Sequence, residues 1–217
     1  MERHFDQELE ELKKVLLDMA GLADQAIARA TTALKMLDQE MARQVIGDDQ
    51  AIDRLELVID DLTFDLNARH QPMARDLRLL MMVPRISTEL ERIADYAVNI
   101  AQRTIELCGK PHIKPLVDIP RLSRLAQEMV KGAIDSFITM DGLAAREICR
   151  RDDEADFLRD LVYKELVDMT TRDGTLAGQA IPLILIAQHL ERICDHATNI
   201  AEDIVYLAEA RVIKHQP

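Results

Sequence analysis

The sequence predicts an all-α protein, a tandem repeat of two three-helix bundles built from six long helices. Three observations predict this fold class. The 217 residues include only seven Gly and seven Pro, so the chain has few turn-forming residues. Apolar residues recur at alternating steps of three and four, which is the period of a buried helix face. The segment LERIADYAVNIA at 90–101 returns as LERICDHATNIA at 190–201, with nine of twelve positions identical.

The helices of the first half follow from this period. A heptad seam sustained for four repeats predicts the first helix, and Ala in its second half indicates close helix approach. The seam consists of Leu9, Leu12, Leu16, Met19, Ala23, Ala26, Ala30, Ala33 and Leu37. After a break near residues 38–43, a second helix is expected at about 42–69, ended by Pro72. A third helix, at about 74–108, carries the first copy of the repeated segment.

The second half repeats this organisation. The segment CGKPHIKPLVDIP at 108–120 contains one Gly and three Pro and predicts a linker. Helices are expected beyond it at about 121–140, 143–171 and 176–211. An offset of 103 residues aligns the first two helices of each half, and the offset falls to 100 at the repeated segment. The predicted domains are residues 1–108 and 121–217, joined by a linker at 109–120.

Charge and hydropathy exclude several classes of protein. The formal net charge of −12 opposes binding to nucleic acid or directly to anionic lipid. The longest apolar runs fall well short of the roughly 20 residues that a membrane span needs, and the charged start lacks the apolar stretch of a signal peptide. The three cysteines have no CxxC spacing, which suits a reducing compartment. A cytoplasmic location is therefore expected.

Each half carries pairs of acids spaced four residues apart, one helical turn, on one face. The pairs are Glu91 with Asp95 and Glu191 with Asp195 in the repeated segment, and Asp49 with Asp53 and Asp152 with Asp156 on the middle helices. Like charges at this spacing repel, so a counter-charge is expected. Carboxylates from two facing helices are ligands that Mg²⁺, Mn²⁺ or Fe accept. These eight residues are the predicted metal ligands.

A simpler interpretation stays open beside the metal site. Arg92 and Arg192 each lie three residues before an aspartate of the repeated segment and could form ordinary surface ion pairs with it. Asn99 and Asn199 are expected to extend each acid stripe by a further turn. The stripes lie one step off the buried seam, which predicts an exposed acidic face on each bundle.

Recognisable catalytic signatures are missing. The chain has no HExxH, no GxSxG, no Gly-rich phosphate loop and no Glu-x-x-His. His196 follows an aspartate of the repeated segment, but its counterpart in the first copy is Tyr96. We therefore expect His196 to face solvent or to lie at a rim rather than to be a metal ligand, and we do not expect an enzyme.

Several segments together resemble the PhoU family of phosphate regulators. They are the two LERI segments, the start HFDQELEEL at 4–12, RHQPMARDLR at 69–78 and NIAEDIVYL at 199–207. The resemblance implies a cytoplasmic, six-helix, usually dimeric protein. It implies a negative regulator of phosphate uptake and of the starvation response, acting between the Pst phosphate ABC transporter and the PhoR sensor kinase.

The resemblance also bears on the acids. The metal motifs of the family correspond to the four acid pairs named above, although only some family members hold multinuclear metal clusters. The metal could be Fe, Zn, Mn or Mg. In the second half, two arginines precede the acids in RRDDEAD at 150–156 and could satisfy them instead.

Two other classes of function remain as alternatives. A metal-binding carboxylate bundle with storage or oxidase-type activity would need an open coordination position and a proton-transfer residue. A purely structural, spectrin-like module would account for the bundles but not for the acids that occur in both halves. Metal analysis and an activity screen would separate these alternatives from a regulator.

Overall fold

The computed structural model describes residues 2–211, with side chains from His4 onward. Every regular element in that range is helical. The first repeat contains α1 (Glu2–Met36), α2 (Gln39–Asp48), α3 (Gln50–His70) and α4 (Ala74–Leu107). The second contains α5 (Asp118–Thr139), α6 (Gly142–Cys149), α7 (Asp152–Arg172) and α8 (Ala177–Glu209), with a short 3-10 helix at Gly174–Leu176. The predicted fold class is confirmed.

The same turn joins the first two helices of each repeat. At Leu37 and at Met140 the backbone enters the left-handed region, with φ of 52° and 53°, which ends the preceding helix. The next residue is an aspartate whose carboxylate caps the following helix: Asp38 accepts from the Met41 amide at 3.0 Å, and Asp141 accepts from two amides. Short polar side chains thus set this boundary in both repeats.

The middle helix of each repeat is divided, whereas the sequence predicted one continuous helix at 42–69 and another at 143–171. The breaks fall at Asp49 and at Arg150–Arg151. There the backbone bonds span three residues instead of four, as between the Ile52 amide and the Asp49 carbonyl at 2.8 Å. Apolar periodicity continues across such a tightened turn, so the sequence pattern alone could not predict the break in the helix.

The other predicted helix ends agree closely with the structure. The predicted third helix at 74–108 is observed at Ala74–Leu107, and the sixth, predicted at 176–211, at Ala177–Glu209. Helix α5 begins at Asp118, so the last three residues of the predicted linker are helical. The domain boundaries themselves stay a prediction.

The core consists of Leu, Ile, Val, Met and Ala, together with Phe137. The seam predicted for α1 is buried apart from Ala26 and Leu37, which pack against the core while partly exposed. Cys194 is fully buried, whereas Cys108 and Cys149 are half-buried, and all three are free thiols. No helix in the described range is both long enough and apolar enough to cross a bilayer.

The two repeats pack through reciprocal contacts, α4 against α8 and α1 against α5. Asp24 and Gln127 occupy equivalent positions, 103 residues apart, and their side chains hydrogen-bond to each other at 3.3 Å. An interface in which equivalent positions meet is that of an approximate twofold axis. The internal repeat therefore has a spatial counterpart, a pseudo-symmetric pair of bundles.

His196 lies half-buried in this interface, so the prediction that it faces solvent was wrong. Its Nδ1 is 2.6 Å from Glu89 Oε2, its side chain is only 19% exposed, and its ring packs on Tyr96. Tyr96 also stacks on His189, the equivalent of Glu89. Sequence periodicity describes one helix at a time, so it could not show that another bundle covers this face of α8.

Candidate functional site

The antiparallel helices α3 and α4 bring the acids of the first repeat to one face. We call it the first acidic face, and it consists of Asp49, Asp53, Glu56, Glu91 and Asp95. Asp49 lies at the N-cap position of α3, and Asp53 and Glu56 lie within α3. Glu91 and Asp95 lie on α4. The hydroxyl of Thr88 on α4 donates to Glu56 Oε1 at 2.9 Å, which fixes the register of the two helices.

The carboxylates of the first acidic face are close enough to perturb one another. Burial raises the pKa of Glu91 to about 7, with the charge of Asp95 as the next cause and further contributions from Glu56 and Asp53. The pKa of Asp49 rises to about 6, through burial and then through Asp53 and Asp95. Ionising the whole face is therefore unfavourable without a nearby cation.

The face is also less exposed than the sequence predicted. The Glu91 side chain retains 20% of its accessible surface, whereas Asp95 retains 42%. The expected ion pair of Arg92 with Asp95 is present, with Nη1 3.2 Å from Oδ2, and Arg92 Nε also lies 3.4 Å from Glu91 Oε2. Because Arg92 is itself 55% exposed, this pairing is solvent-screened and weak.

The second acidic face consists of Asp152 and Asp156 on α7 with Glu191 and Asp195 on α8. Burial raises the pKa of Glu191 to about 7, followed by the charge of Asp195. The pKa values of Asp152 and Asp195 are also raised, chiefly by desolvation. The hydroxyl of Thr198 lies 3.5 Å from Asp152. The two pairs on different helices thus meet here as they do in the first repeat.

One arginine distinguishes the second acidic face from the first. Arg159 donates from Nη2 to Asp156 Oδ1 at 2.6 Å, and its Nη1 lies 3.6 Å from Glu191 Oε1. Its Nε is 3.1 Å from Asp160, an ion pair without hydrogen-bond geometry. The charge of Arg159 lowers the pKa of Glu191, although burial outweighs it.

Arg159 and Glu56 occupy equivalent positions, 103 residues apart. Sequence analysis missed both residues because it searched for acids that occur in both repeats, whereas this position reverses its charge. The repeat alignment already contained the signal. A position that changes from Glu to Arg beside two acid pairs indicates that one repeat carries its own counter-charge.

Two further expectations about the second repeat are corrected. The arginines of RRDDEAD do not neutralise the acids that follow them, because Arg150 pairs with Glu147 and Arg151 with Glu128. Asn199 does not extend the acid stripe. Its amide donates to Glu89 Oε2 at 3.1 Å across the interface between the repeats. All three side chains interact with acids on other helices.

The donor sets allow a test of whether the eight predicted ligands fit a metal. Both faces present carboxylate oxygens, which suit hard divalent cations. Nevertheless, among the described side chains, no group of three or more His, Cys, Asp and Glu residues is arranged to hold a metal ion. The first acidic face fits a cation by its chemistry, whereas Arg159 already provides positive charge within the second. Metal binding by these residues stays a proposal.

Comparison with known proteins gives a consistent result. The family model described as "PhoU domain" matches residues 16–104 and 119–204. A relative from Aquifex aeolicus, named phosphate-specific transport system accessory protein PhoU homolog, is 40% identical over 97% of this chain and 95% of its own length. A relative of the same name from Clostridium acetobutylicum is 32% identical over 96% of both chains.

Solved structures show the same architecture. The crystal structure of PhoU from Pseudomonas aeruginosa matches with a TM-score of 0.92 and 34% identity, covering 95% of this chain and 100% of that one. The structure of the phosphate transport system regulatory protein PhoU from Streptococcus pneumoniae matches with a TM-score of 0.90 and 27% identity, covering 97% and 99%. The similarity extends over both bundles.

Proposed function

Since the chain belongs to the PhoU family, we propose that it is an accessory protein of phosphate transport that regulates phosphate uptake. The observation that carries this proposal is the match of the family model to both repeats. The 40% identity to a named accessory protein over almost its whole length supports the same role. The absence of a catalytic motif from the sequence agrees with a regulator rather than an enzyme.

In its finer form, the proposal is that of a negative regulator and adaptor. The protein would contact the cytoplasmic side of the Pst phosphate ABC transporter and the PhoR sensor kinase, and keep the starvation genes off when phosphate is plentiful. With a net charge of −12, it would reach an anionic membrane through such partners rather than directly. A cytoplasmic homodimer is part of this proposal.

The test is to delete the gene in its source organism and measure a starvation-responsive promoter in high phosphate. We expect derepression, and repression again when the gene is supplied in trans. A pull-down from phosphate-replete cells should recover the transporter and the kinase. A promoter that stays off after deletion would contradict the regulatory role, and recovery of neither partner would contradict the adaptor.

A second candidate function concerns the first acidic face. Burial, and then repulsion between neighbouring carboxylates, raises the pKa values of Asp49 and Glu91. A divalent cation would favour the ionised carboxylates. Glu91, Asp95, Asp49 and Asp53 would hold it, and Fe, Zn, Mn or Mg are the candidates. A storage or oxidase-type activity would be the enzymatic form of this alternative.

Metal content measured on the purified protein tests this candidate. Asp95→Asn removes charge with little change of shape, so metal content should fall while the helical circular dichroism is kept. Asp195→Asn, at the equivalent position of the second repeat, is the matched control. Full metal content in the Asp95 variant would show that the first acidic face does not hold the ion.

A further inference from the structure

Five exposed apolar side chains lie on the hairpin of α3 and α4. Leu57 and Phe64 on α3 are 64% and 74% exposed, and Met73, Leu77 and Met81 at the start of α4 are 80%, 40% and 55% exposed. We call this group the hairpin surface. A single exposed apolar side chain needs no explanation, but a group on one pair of helices is typical of an interaction site.

Helix geometry places members of this group side by side. The hydrogen bond between Thr88 and Glu56 fixes one level of the antiparallel pair. At a rise of 1.5 Å per residue, Phe64 lies about 12 Å from that bond along α3, toward the turn at residues 71–73. Met81 lies about 10 Å from the bond along α4, toward the same turn. Met81 precedes Thr88 by two helical turns and so shares its side of α4, with Leu77 one turn further along. Phe64 and Met81 therefore lie at similar heights on the two antiparallel helices.

The hairpin surface borders strong negative charge. Asp53 and Glu56 lie toward one end, where the hairpin surface meets the first acidic face, and Asp60 and Asp61 are exposed between Leu57 and Phe64 on α3. Helix α3 has five acids against two arginines over Gln50–His70. One of these, Arg69, pairs with Glu8 and lies 3.8 Å from Asp65. On α3 the exposed apolar side chains are thus interspersed with acids.

The second repeat does not repeat this surface position by position, although Phe157 and Tyr163 on α7 and Ile181 on α8 are exposed there. The positions equivalent to Leu57, Phe64, Met73, Leu77 and Met81 are Asp160, Val167, Asp173, Ala177 and Ile181. Only Ile181 is a large and well-exposed apolar side chain, at 56%. Equivalent helices of one fold thus differ in what they present to solvent, so the fold itself does not require the apolar group on the first hairpin.

We propose that the hairpin surface docks an amphipathic, positively charged helix of a partner protein. An apolar stripe of such a helix would lie along the hairpin surface, as in other helix-in-groove complexes, and flanking Lys or Arg side chains would face the acids. Unbranched Met side chains adapt to a helix of irregular shape. The proposal rests on the proposed function, because a regulatory adaptor must contact a partner, and it names the surface for that contact.

The test uses the purified full chain and a synthetic peptide. The probe is an amphipathic peptide of about 18 Leu and Lys residues whose leucines follow the 3.6-residue period. We expect the wild type to bind it and the Phe64→Ser, Met81→Ser double variant to bind at least about tenfold more weakly, a loss of about 1.4 kcal/mol. Both substitutions keep the net charge, so non-specific attraction by the acids is unchanged.

Two controls make the test specific. Phe157→Ser removes an exposed phenyl group from α7, outside the hairpin surface, and should leave binding unchanged. A peptide of the same composition with leucines spread around the helix should bind weakly. Equal binding by the double variant, or equal binding of both peptides, would overturn the proposal.

Size-exclusion chromatography with light scattering tests whether a second copy of the chain occupies the hairpin surface. A wild type that dimerises but does not bind the peptide, beside a double variant that is monomeric, would assign the hairpin surface to a second copy of the chain instead. The peptide result does not depend on the promoter experiment, so failure of the docking proposal is distinguishable from failure of the proposed function.

Discussion

The two acidic faces occupy equivalent places in the two repeats but differ in how their negative charge is balanced. In both, burial raises the pKa of the central glutamate, Glu91 or Glu191, to about 7. Only the second face includes an arginine at its centre, Arg159, where the first has Glu56. Burial, which the shared fold produces in both repeats, thus determines the direction of the pKa shift. The position of Glu56 and Arg159 determines the difference in net charge between the two faces.

This difference bears on which face would accept a cation. Arg159 has acidic partners within its own repeat, so the second face already contains a counter-charge. The first face has an exposed Arg92 and no interior cation among its described neighbours. The two repeats thus share a fold, but only the first acidic face lacks an arginine at its centre and leaves its carboxylates available to a partner or an ion.

The largest expected effect comes from removing the arginine of the second face. Arg159→Gln leaves Glu191, which is 16% exposed, and the more exposed Asp156 and Asp160 without their counter-charge. We expect it to lower the free energy of unfolding at pH 8 by about 1.5 kcal/mol. The loss should shrink at pH 5, where Glu191 is protonated because its pKa is raised to about 7. Urea denaturation at both pH values measures it.

The control for that experiment is Arg92→Gln in the first face. Arg92 is more exposed, so its removal should cost no more than about 0.5 kcal/mol. Equal losses for the two arginine variants would show that the faces do not differ in how they are neutralised.

A smaller effect is expected in the pH dependence of stability. A carboxyl group whose pKa is raised on folding binds more protons in the folded state, so stability falls as pH rises between the unfolded and folded pKa values. For Glu91 this window runs from about 4.5 to about 7. Relative to wild type, Glu91→Gln should gain about 1 kcal/mol between pH 5 and pH 8. Chemical denaturation across this range checks the sign.

Glu11→Gln on an exposed part of α1 provides the baseline for this comparison. Its stability should follow that of wild type across the window, and a Glu91 variant with the same pH profile as wild type would contradict the raised pKa.

The smallest expected effect concerns the position that distinguishes the faces. Glu56→Gln keeps an acceptor for the Thr88 hydroxyl but removes one charge beside Glu91. We expect a gain of about 0.5 kcal/mol in the free energy of unfolding at pH 8, measured by urea denaturation. Glu154→Gln, which changes an exposed acid at the start of α7, controls for the change in net charge. A destabilised Glu56 variant would show that its charge does not oppose the others.

The sequence predicted the helices and the acid pairs because both depend on local spacing. Ala74–Leu107 matches its prediction within a residue, since a strict apolar period continues to a clear stop. The divided middle helices were missed because the period continues through Asp49. His196 was misjudged because its partner Glu89 lies on another helix, which spacing along one helix does not report. Arg159 was missed because its position is acidic in only one of the two repeats.

Titration of the purified chain with Mn²⁺ by calorimetry tests most directly whether the first acidic face alone accepts a cation. Three proteins are compared: wild type, the Asp53→Asn, Asp95→Asn variant of the first face, and the Asp156→Asn, Asp195→Asn variant of the second. The account predicts that wild type binds Mn²⁺, that the first variant loses this binding and that the second keeps it. A wild type that does not bind, or binding that is lost only with the second face, would contradict the account.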